Sequence, residues 1–137
     1  MTMQDPGTDR SSERSGRVLV VDDDAGVSGT VAAILEQDGH VVDSAANGAI
    51  ALAKVAEAEY DVIVSDVLMP VLDGPGLYRE LERRKPDLLT RMVFITGGRL
   101  SAETYALLTK TGAPILSKPF DIAQLRLTVK QTLAQAR

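Results

Sequence analysis

Four short apolar runs, each leading into a polar or charged residue, constrain the fold of this chain most strongly. The runs cover residues 18–21, 62–65, 92–95 and 115–117, and they lead into Asp22, Asp66, Thr96 and Lys118. Runs that are rich in Val and Ile and lack polar alternation are typical of parallel strands, which are buried on both faces. The carboxyl ends of parallel strands share one edge of an open sheet, where ligands bind. We therefore expect the four polar side chains to meet in one crevice.

Helical patterns lie between these runs, so strands and helices alternate from Arg17 onward. The sequence predicts strands at about 17–21, 41–44, 61–65, 91–95 and 114–117. It predicts helices at about 25–38, from Asn47, at about 74–84, after Ser101, and from Asp121 to about 134. Asn47, Ser101 and Asp121 are suitable N-caps, and Gly39 is a suitable stop. Five β/α units with helical crossovers predict an α/β domain whose five-stranded parallel sheet has helices on both faces.

Composition excludes several classes of protein. A chain of 137 residues with 45% hydrophobic and 25% charged residues suits one ordinary globular domain. The net charge of −4 provides no basic face for nucleic acid, and the absence of Cys excludes thiol catalysis and zinc–thiolate sites. No signal peptide or transmembrane segment is evident, so we expect a cytoplasmic protein without membrane contact.

The two ends of the chain differ in character. Residues 1–16 are polar and are expected to form a disordered tail, whereas residues 17–137 are expected to form the folded domain. The fifth predicted helix reaches the end of the sequence, so we expect no DNA-binding or catalytic output domain.

Asp22, Asp23 and Asp66 are candidate ligands for a divalent cation. They follow neighbouring strands of the predicted sheet, and three carboxylates so close together repel one another unless a cation lies between them. Mg²⁺ prefers oxygen ligands, typically one or two carboxylates, a carbonyl and water. Asp24, in contrast, is interpreted as the N-cap of the first helix.

Asp66 is also a candidate nucleophile, because it is the only acid at the end of the third strand. A carboxylate that attacks phosphorus forms an acyl phosphate. Charge develops on the phosphoryl oxygens in the transition state, so donors must be held ready around them. Lys118 supplies a compact positive charge and Thr96 a hydroxyl, while Gly97 and Gly98 leave the approach open. The pattern indicates a site for a divalent metal and a phosphoryl group.

Four segments, in order and at the spacing of successive β/α units, resemble the receiver domain of two-component response regulators. They are VLVVDDD (18–24), VIVSDVLMPVLDG (62–74), VFITG (93–97) and LSKPF (116–120). The resemblance extends from residue 17 to about 135. It implies a flavodoxin-like (βα)₅ fold with strand order 2-1-3-4-5.

The same resemblance implies a role for each site residue. Asp66 would be the phosphoacceptor, and Thr96 and Lys118 would contact the phosphoryl group. The metal site would consist of Asp22, Asp23, Asp66 and the backbone carbonyl of Leu68, and it would bind Mg²⁺, for which Mn²⁺ can substitute. The Lys118–Pro119 peptide bond is expected to be cis, as X-Pro bonds alone adopt that form at low cost.

The resemblance further implies a stand-alone receiver in a phosphorelay. A sensor histidine kinase or a histidine phosphotransfer protein would phosphorylate Asp66, and an unidentified downstream protein would respond by contact or by onward transfer. We expect self-phosphorylation and autodephosphorylation rather than a turnover enzyme, and no direct DNA binding. Residues 111–114, before the fifth strand, lack the acidic residues of receivers that dimerise through this face, so we expect a monomer in the unphosphorylated state.

Ile115, Leu68 and Gly98 depart from the family pattern, and His40 is a further residue of interest. Ile115 occupies the position of the family's switch aromatic. Leu68 and Gly98 occupy positions that often carry polar side chains, which influence hydrolysis of the phosphoryl group. His40, the only histidine, is expected to be a surface residue in the turn before the second strand.

Two other functions fit the sequence less well. A phosphohydrolase of the haloacid-dehalogenase type would need a second acid two residues after the nucleophile, where Leu68 stands. A nucleotide-binding module would need a glycine-rich turn after the first strand, where Asp22, Asp23 and Asp24 would repel a pyrophosphate.

Overall fold

A computed structural model describes residues 15–135 of the chain. The strands are β1 (Arg17–Val21), β2 (Val41–Ala45), β3 (Val62–Asp66), β4 (Met92–Thr96) and β5 (Ile115–Ser117). The helices are α1 (Ala25–Gln37), α2 (Gly48–Glu57), α3 (Gly74–Arg84), α4 (Ala102–Thr111) and α5 (Ile122–Gln135), and a 3-10 helix (Pro86–Arg91) precedes β4.

All neighbouring strands pair in parallel, as the alternating pattern predicted, and their order β2-β1-β3-β4-β5 is the one that the family resemblance implied. The register aligns the carboxyl ends of the central strands. Val21 pairs with Ser65, and Asp66 pairs with Ile95. Thr96 in turn pairs with Ser117. The residues at and just beyond these ends therefore lie along one edge of the sheet.

Alternate residues of the strands point into two separate apolar layers. One layer joins Leu19, Ile63 and Phe94 to the apolar faces of α2, α3 and α4, represented by Val55, Leu77, Leu81 and Leu108. The other joins Val18, Val64 and Ile95 to α1 and α5, represented by Val31, Leu35, Leu125 and Val129. The central strands are buried on both faces, which explains their continuous apolar runs.

The predicted helix boundaries are confirmed by side-chain caps. At each N-terminus, the side chain of the capping residue accepts a hydrogen bond from an amide in the first turn. The caps are Asp24, Asn47, Asp73, Ser101 and Asp121, with distances of 2.8–3.1 Å to the amides of Gly26, Ile50, Gly76, Thr104 and Ala123. Gly39 has φ = 91° just after α1, a conformation that favours glycine.

The 3-10 helix between α3 and β4 was not predicted. Pro86 cannot continue α3, and the following turn buries Leu88 in the core before β4 begins. The Lys85 ammonium donates to the Val55 carbonyl at 2.7 Å, which satisfies an acceptor near the end of α2. These contacts join segments that are distant in the sequence, so no local sequence pattern predicts them.

The tail predicted for residues 1–16 falls largely outside the described residues, since only Ser15 and Gly16 belong to the described range. Gly16 is bonded to the domain, because its carbonyl accepts from the Val41 amide at 3.0 Å. Within residues 15–135, no helix has both the length and the apolar character needed to cross a bilayer.

The expectation that His40 is a surface residue was wrong. Its position in the turn before β2 is confirmed, but the side chain is only 8% exposed. Its Nδ1 accepts a hydrogen bond from the Gly16 amide at 3.1 Å, which fastens the chain just before β1. Burial lowers the pKa of His40, although Asp38, the Gly16 contact and Asp61 each oppose that shift. A lone histidine in a turn carries no sequence signal for this contact.

Replacing His40 with Asn should remove a pH dependence of stability. The lowered pKa means that the unfolded chain binds more protons than the folded one between the folded-state pKa and the ordinary value of 6.5. The free energy of unfolding of the wild type should therefore decrease as the pH falls through this window. The Asn carbonyl can still accept from Gly16 but does not titrate. Urea unfolding at about pH 7.5 and about pH 5.5 measures the difference, and equal losses in both proteins would contradict it.

Candidate functional site

The predicted site residues meet at the carboxyl edge of the sheet. Asp22 follows β1 and Asp66 ends β3, and these two strands are neighbours. Thr96 ends β4 and Lys118 follows β5, so the other two side chains come from the next strands along. The strand order thus brings together residues that are up to 96 positions apart in the chain.

Three carboxylates form a compact cluster. One oxygen from each of Asp22, Asp23 and Asp66 lies within 4.8 Å of the others. Asp22 is buried, Asp66 is half-buried and Asp23 is exposed. The Asp22 side chain is oriented by the Asp24 amide, which donates to its Oδ1 at 2.9 Å. The tight turn into α1 therefore fixes the most buried acid of the cluster.

Lys118 is the cation that contacts this cluster among residues 15–135. Its Nζ lies 3.2 Å from Asp22 Oδ2 and 3.4 Å from Asp66 Oδ2. Burial opposes the charged ammonium, but Asp66 and Asp22 outweigh burial and raise the pKa of Lys118. The lysine is therefore held protonated between two carboxylates.

Gly97 makes room for this lysine. A Cβ atom at residue 97 would lie 2.6 Å from Cδ of Lys118, which is closer than side chains pack. The Lys118 amide also donates to the Thr96 carbonyl at 2.7 Å. The backbone of Lys118 therefore lies against the end of β4, and its side chain lies against the next residue, Gly97. The sequence suggested only that Gly97 leaves the approach open, because a contact with the side chain 21 positions later has no local signature.

Asp66 has an environment that disfavours its charged form. Burial and the negative charge of Asp22 raise its pKa, whereas the Val67 amide and Lys118 act in the opposite direction. The Val67 amide donates to Asp66 Oδ1 at 2.8 Å, while Oδ2 faces Lys118. The Asp66 carboxylate is therefore fixed in orientation, while burial and Asp22 destabilise its charged form.

The cluster opens into a cavity of about 300 Å³. Its walls include Asp66, Thr96 and Lys118, together with Asp24, Val27, Leu68, Gly97 and Gly98. Leu68 is 53% exposed, and a Cβ atom at residue 98 would lie 3.9 Å from its Cδ1. Leu68 and Gly98, two of the positions that depart from the family pattern, therefore lie next to each other in the cavity wall.

The loop after β3 is supported by two glycines. The Gly74 amide donates to the Val67 carbonyl at 2.9 Å, and a Cβ atom at residue 74 would lie 2.8 Å from the Asp66 carbonyl oxygen. The Gly48 amide at the start of α2 donates to the Leu72 carbonyl at 2.9 Å, again at a distance that excludes a side chain. The role of Gly48 was not predicted, because it acts on a loop more than 20 residues away.

The donor set fits a divalent cation. The three carboxylates carry three negative charges, and the single ammonium of Lys118 offsets one of them. The remaining surplus of two negative charges matches one Mg²⁺, whose preferred ligands are oxygens. The Lys118–Pro119 peptide bond is cis, as expected.

Comparison with known proteins identifies the family. Residues 18–130 match the family model of the response regulator receiver domain. The chain is 41% identical over 118 residues to the sensor kinase CckA of Brucella abortus, a match that covers 85% of this chain and 12% of that protein. It is 32% identical over 120 residues to the transcriptional regulatory protein ResD of Bacillus subtilis, covering 88% of this chain and 49% of ResD. The chain thus spans half or less of these curated relatives.

Solved structures show the same fold. The receiver domain of Francisella response regulator 1452 superposes with a TM-score of 0.76 at 31% identity, covering 89% of this chain and 99% of that one. A CheY-like receiver domain protein from Methanospirillum hungatei superposes with a TM-score of 0.79 at 26% identity, covering 88% and 94%. Sequence, topology and the architecture of the acidic edge agree, and this chain belongs to the response regulator receiver domains of two-component systems.

Proposed function

We propose that Asp66 accepts a phosphoryl group from a sensor histidine kinase or a histidine phosphotransfer protein, in a reaction that requires Mg²⁺. The observation that supports this most directly is the position of Asp66, between two further carboxylates and an ammonium at the mouth of a cavity. Receiver domains interact with histidine kinases, and one relative of this chain is a sensor kinase.

In the proposed reaction a carboxylate oxygen of Asp66 attacks phosphorus as the bond from phosphorus to the donor's imidazole nitrogen breaks. The electron pair of that bond leaves with the imidazole, and an acyl phosphate remains on Asp66. Lys118, already protonated and 3.4 Å from Asp66, balances charge on a phosphoryl oxygen. Thr96 lies on the same cavity wall and donates its hydroxyl to another oxygen.

Asp22, Asp23, Asp66 and the backbone carbonyl of Leu68 would hold the metal. Receiver domains generally bind Mg²⁺ at an acidic pocket, and Mn²⁺ offers similar coordination chemistry. When bound, the cation neutralises charge on Asp66 and on the incoming phosphoryl group. The Asp24 amide donates to Asp22 and so holds the Asp22 side chain in one orientation.

A groove beside the cavity suits the phosphodonor protein. Its volume is about 570 Å³, and Asp24, Val27 and Lys118 belong to the walls of both spaces. Phe120 and Ile122 give the groove an apolar wall opposite α1, and Ile122 is 49% exposed. A donor must bring its phosphohistidine to Asp66, so the protein that carries it has to dock on a surface adjoining Lys118.

We also propose where the domain acts, its oligomeric state and its mode of output. The net charge of −4 favours action through protein contacts rather than direct DNA binding. We propose a cytoplasmic domain that is monomeric before phosphorylation and whose downstream partner responds by contact or by taking the phosphoryl group onward. The acyl phosphate is then lost by hydrolysis or transfer, so the domain turns over its own modification rather than an external substrate.

Asp66→Asn should abolish phosphorylation. The amide has nearly the same shape but cannot form the acyl phosphate, so incorporation of label from acetyl phosphate with Mg²⁺ should fall by at least about 100-fold. Asp61→Asn, which changes an acid outside the cavity, serves as the control and should retain labelling. Label that persists at full level in Asp66→Asn would show that the acceptor is elsewhere, and its sensitivity to hydroxylamine would tell whether that acceptor is another carboxylate.

Asp23→Ala should weaken Mg²⁺ binding by at least about ten-fold and raise the melting temperature of the metal-free protein by roughly 2–4 °C. The substitution removes a metal ligand and also one of three carboxylates that repel one another. Glu59→Ala removes an exposed acid away from the cluster and should change neither quantity. Calorimetry and thermal unfolding in EDTA measure the two effects, and a lower metal-free melting temperature would contradict the proposed repulsion.

The phosphoryl group should be long-lived, and Leu68→Asn combined with Gly98→Glu should shorten its half-life by about ten-fold. Hydrolysis needs a water aligned with the Asp66–phosphorus bond, and neither Leu68 nor Gly98 has a polar side-chain group to orient it. Val71→Asn adds an amide on the same loop but outside the cavity lining, and it should leave the half-life unchanged. The decay of labelled protein after removal of the phosphodonor measures the rate. An unchanged or longer half-life in the double variant would contradict the argument.

A further inference from the structure

A second groove, remote from the donor side, lies between α3 and α4. Its volume is about 270 Å³. The walls are Pro75, Tyr78, Leu107 and Leu108, with Arg79, Glu82, Lys110 and Thr111 completing the lining. Leu107 is 46% exposed although it lies in the middle of α4. An apolar cavity of about 150 Å³ accommodates benzene, so this groove has room for one large apolar side chain.

The polar residues of the groove give it a charge that differs from that of the whole protein. Arg79 and Lys110 contribute two positive charges and Glu82 one negative charge, whereas the chain as a whole carries −4. Within residues 15–135 neither Arg79 nor Lys110 takes part in an ion pair, in contrast to Arg83 and Arg84, which both pair with Glu80. The two unpaired cations complement carboxylates on an incoming segment.

Both walls of the groove are attached to loops that border Asp66. Helix α3 begins at Gly74, directly after the loop that carries Leu68. Helix α4 begins at Ala102, directly after the loop that contains Gly97 and Gly98. A displacement of either loop therefore acts directly on the first turn of a helix that lines the groove.

Tyr78 connects this groove to the strand that carries Thr96. Its ring lies 6.5 Å from that of Phe94, centroid to centroid, and Phe94 is fully buried in β4 two residues before Thr96. Tyr78 also lines a second cavity, of about 190 Å³. Because two cavities adjoin its side chain, Tyr78 is less tightly packed than a residue enclosed by the core.

Ile115, the β5 residue at the family's switch position, differs from Tyr78 in its packing and in its side-chain freedom. Ile115 is partly buried and packs against the same core layer as Tyr78. Its branched side chain has few rotamers, and it has neither a ring nor a hydroxyl to exchange between buried and exposed positions. Among the elements next to β4, α3 and α4 are therefore better placed than β5 to report a change at Thr96.

We propose that the groove between α3 and α4 is a docking site for a helix of a partner protein, one that inserts a large apolar side chain flanked by carboxylates. The apolar side chain would lie against Tyr78 and Leu107, and the carboxylates would pair with Arg79 and Lys110. Helices commonly bind grooves in this way, through apolar anchors on one face. Phosphorylation changes the affinity of this groove through the two loops, and this second part rests on the proposed function of Asp66.

The test uses an amphipathic probe peptide of about 16 residues, long enough to form a helix, with Leu and Phe on one face and Glu on the flanks. A second peptide carries Lys in place of every Glu. Binding to the full chain is followed by NMR chemical-shift changes and by fluorescence anisotropy of the labelled peptide. The Glu peptide should bind, with shifts at Tyr78, Arg79, Leu107 and Lys110, and the Lys peptide should bind at least about ten-fold more weakly.

Two matched substitutions separate this groove from other apolar surfaces. Leu107→Asp should weaken binding of the Glu peptide by at least about ten-fold, because it removes the apolar wall and repels carboxylates. Leu127→Asp, at a comparably exposed leucine in α5, should leave binding unchanged. Equal effects of the two substitutions, shifts centred elsewhere, or no binding at millimolar peptide would overturn the proposed docking site.

Beryllium fluoride with Mg²⁺, a mimic of the phosphoryl group, tests the coupling. It should change the affinity for the Glu peptide by at least about five-fold in the wild type and have no effect in Asp66→Asn. An unchanged affinity in wild-type protein that still takes label from acetyl phosphate would overturn the coupling while the acceptor assignment stands. Failure of both labelling and the beryllium effect would instead refute the function proposed for Asp66, independently of peptide binding in the untreated protein.

Discussion

The rest of the site depends on the electrostatic balance at the carboxyl edge of the sheet. Three carboxylates lie within 4.8 Å of one another, and Lys118 bridges only two of them. Such an arrangement costs free energy in the folded state, because like charges repel and partial burial weakens their hydration. The same imbalance supports the proposal that the edge binds a divalent cation and, with it, a phosphoryl group.

Hydrogen bonds and close packing hold the side chains of this cluster in place despite their mutual repulsion. Asp22 and Asp66 each accept a hydrogen bond from a nearby amide, and they lie at the ends of β1 and β3, two strands that are buried on both faces. Gly97 and Gly74 permit approaches that a Cβ atom would block, one to Lys118 and the other to the backbone of Asp66. Neither glycine touches a reacting atom, yet each determines where a functional group lies. Substitution at such positions alters the site through its geometry rather than its chemistry.

Two grooves lie in different directions from the acceptor cavity. The groove between α1 and the Phe120 segment shares Lys118 with the acceptor cavity, and it is the surface proposed for the donor. The groove between α3 and α4 is separated from the cavity but joined to it by the loops after β3 and β4. In this chain the two surfaces lie on opposite faces of the sheet, since α1 belongs to one apolar layer and α3 and α4 to the other.

The sequence by itself determined the five alternating strands and helices, the N-caps such as Asp24 and Ser101, and the convergence of Asp22, Asp66, Thr96 and Lys118. These features follow from local periodicity, from capping chemistry and from the rule that parallel strands share one carboxyl edge. Only the tertiary structure decided that His40 is buried against Gly16, that Gly97 lies under Lys118 and that Gly48 supports the loop at Leu72. It also decided that Leu107 faces a groove rather than the core. Each of these outcomes depends on which distant segments pack together. Such contacts stabilise the fold, but the residues that make them form no periodic pattern in the sequence.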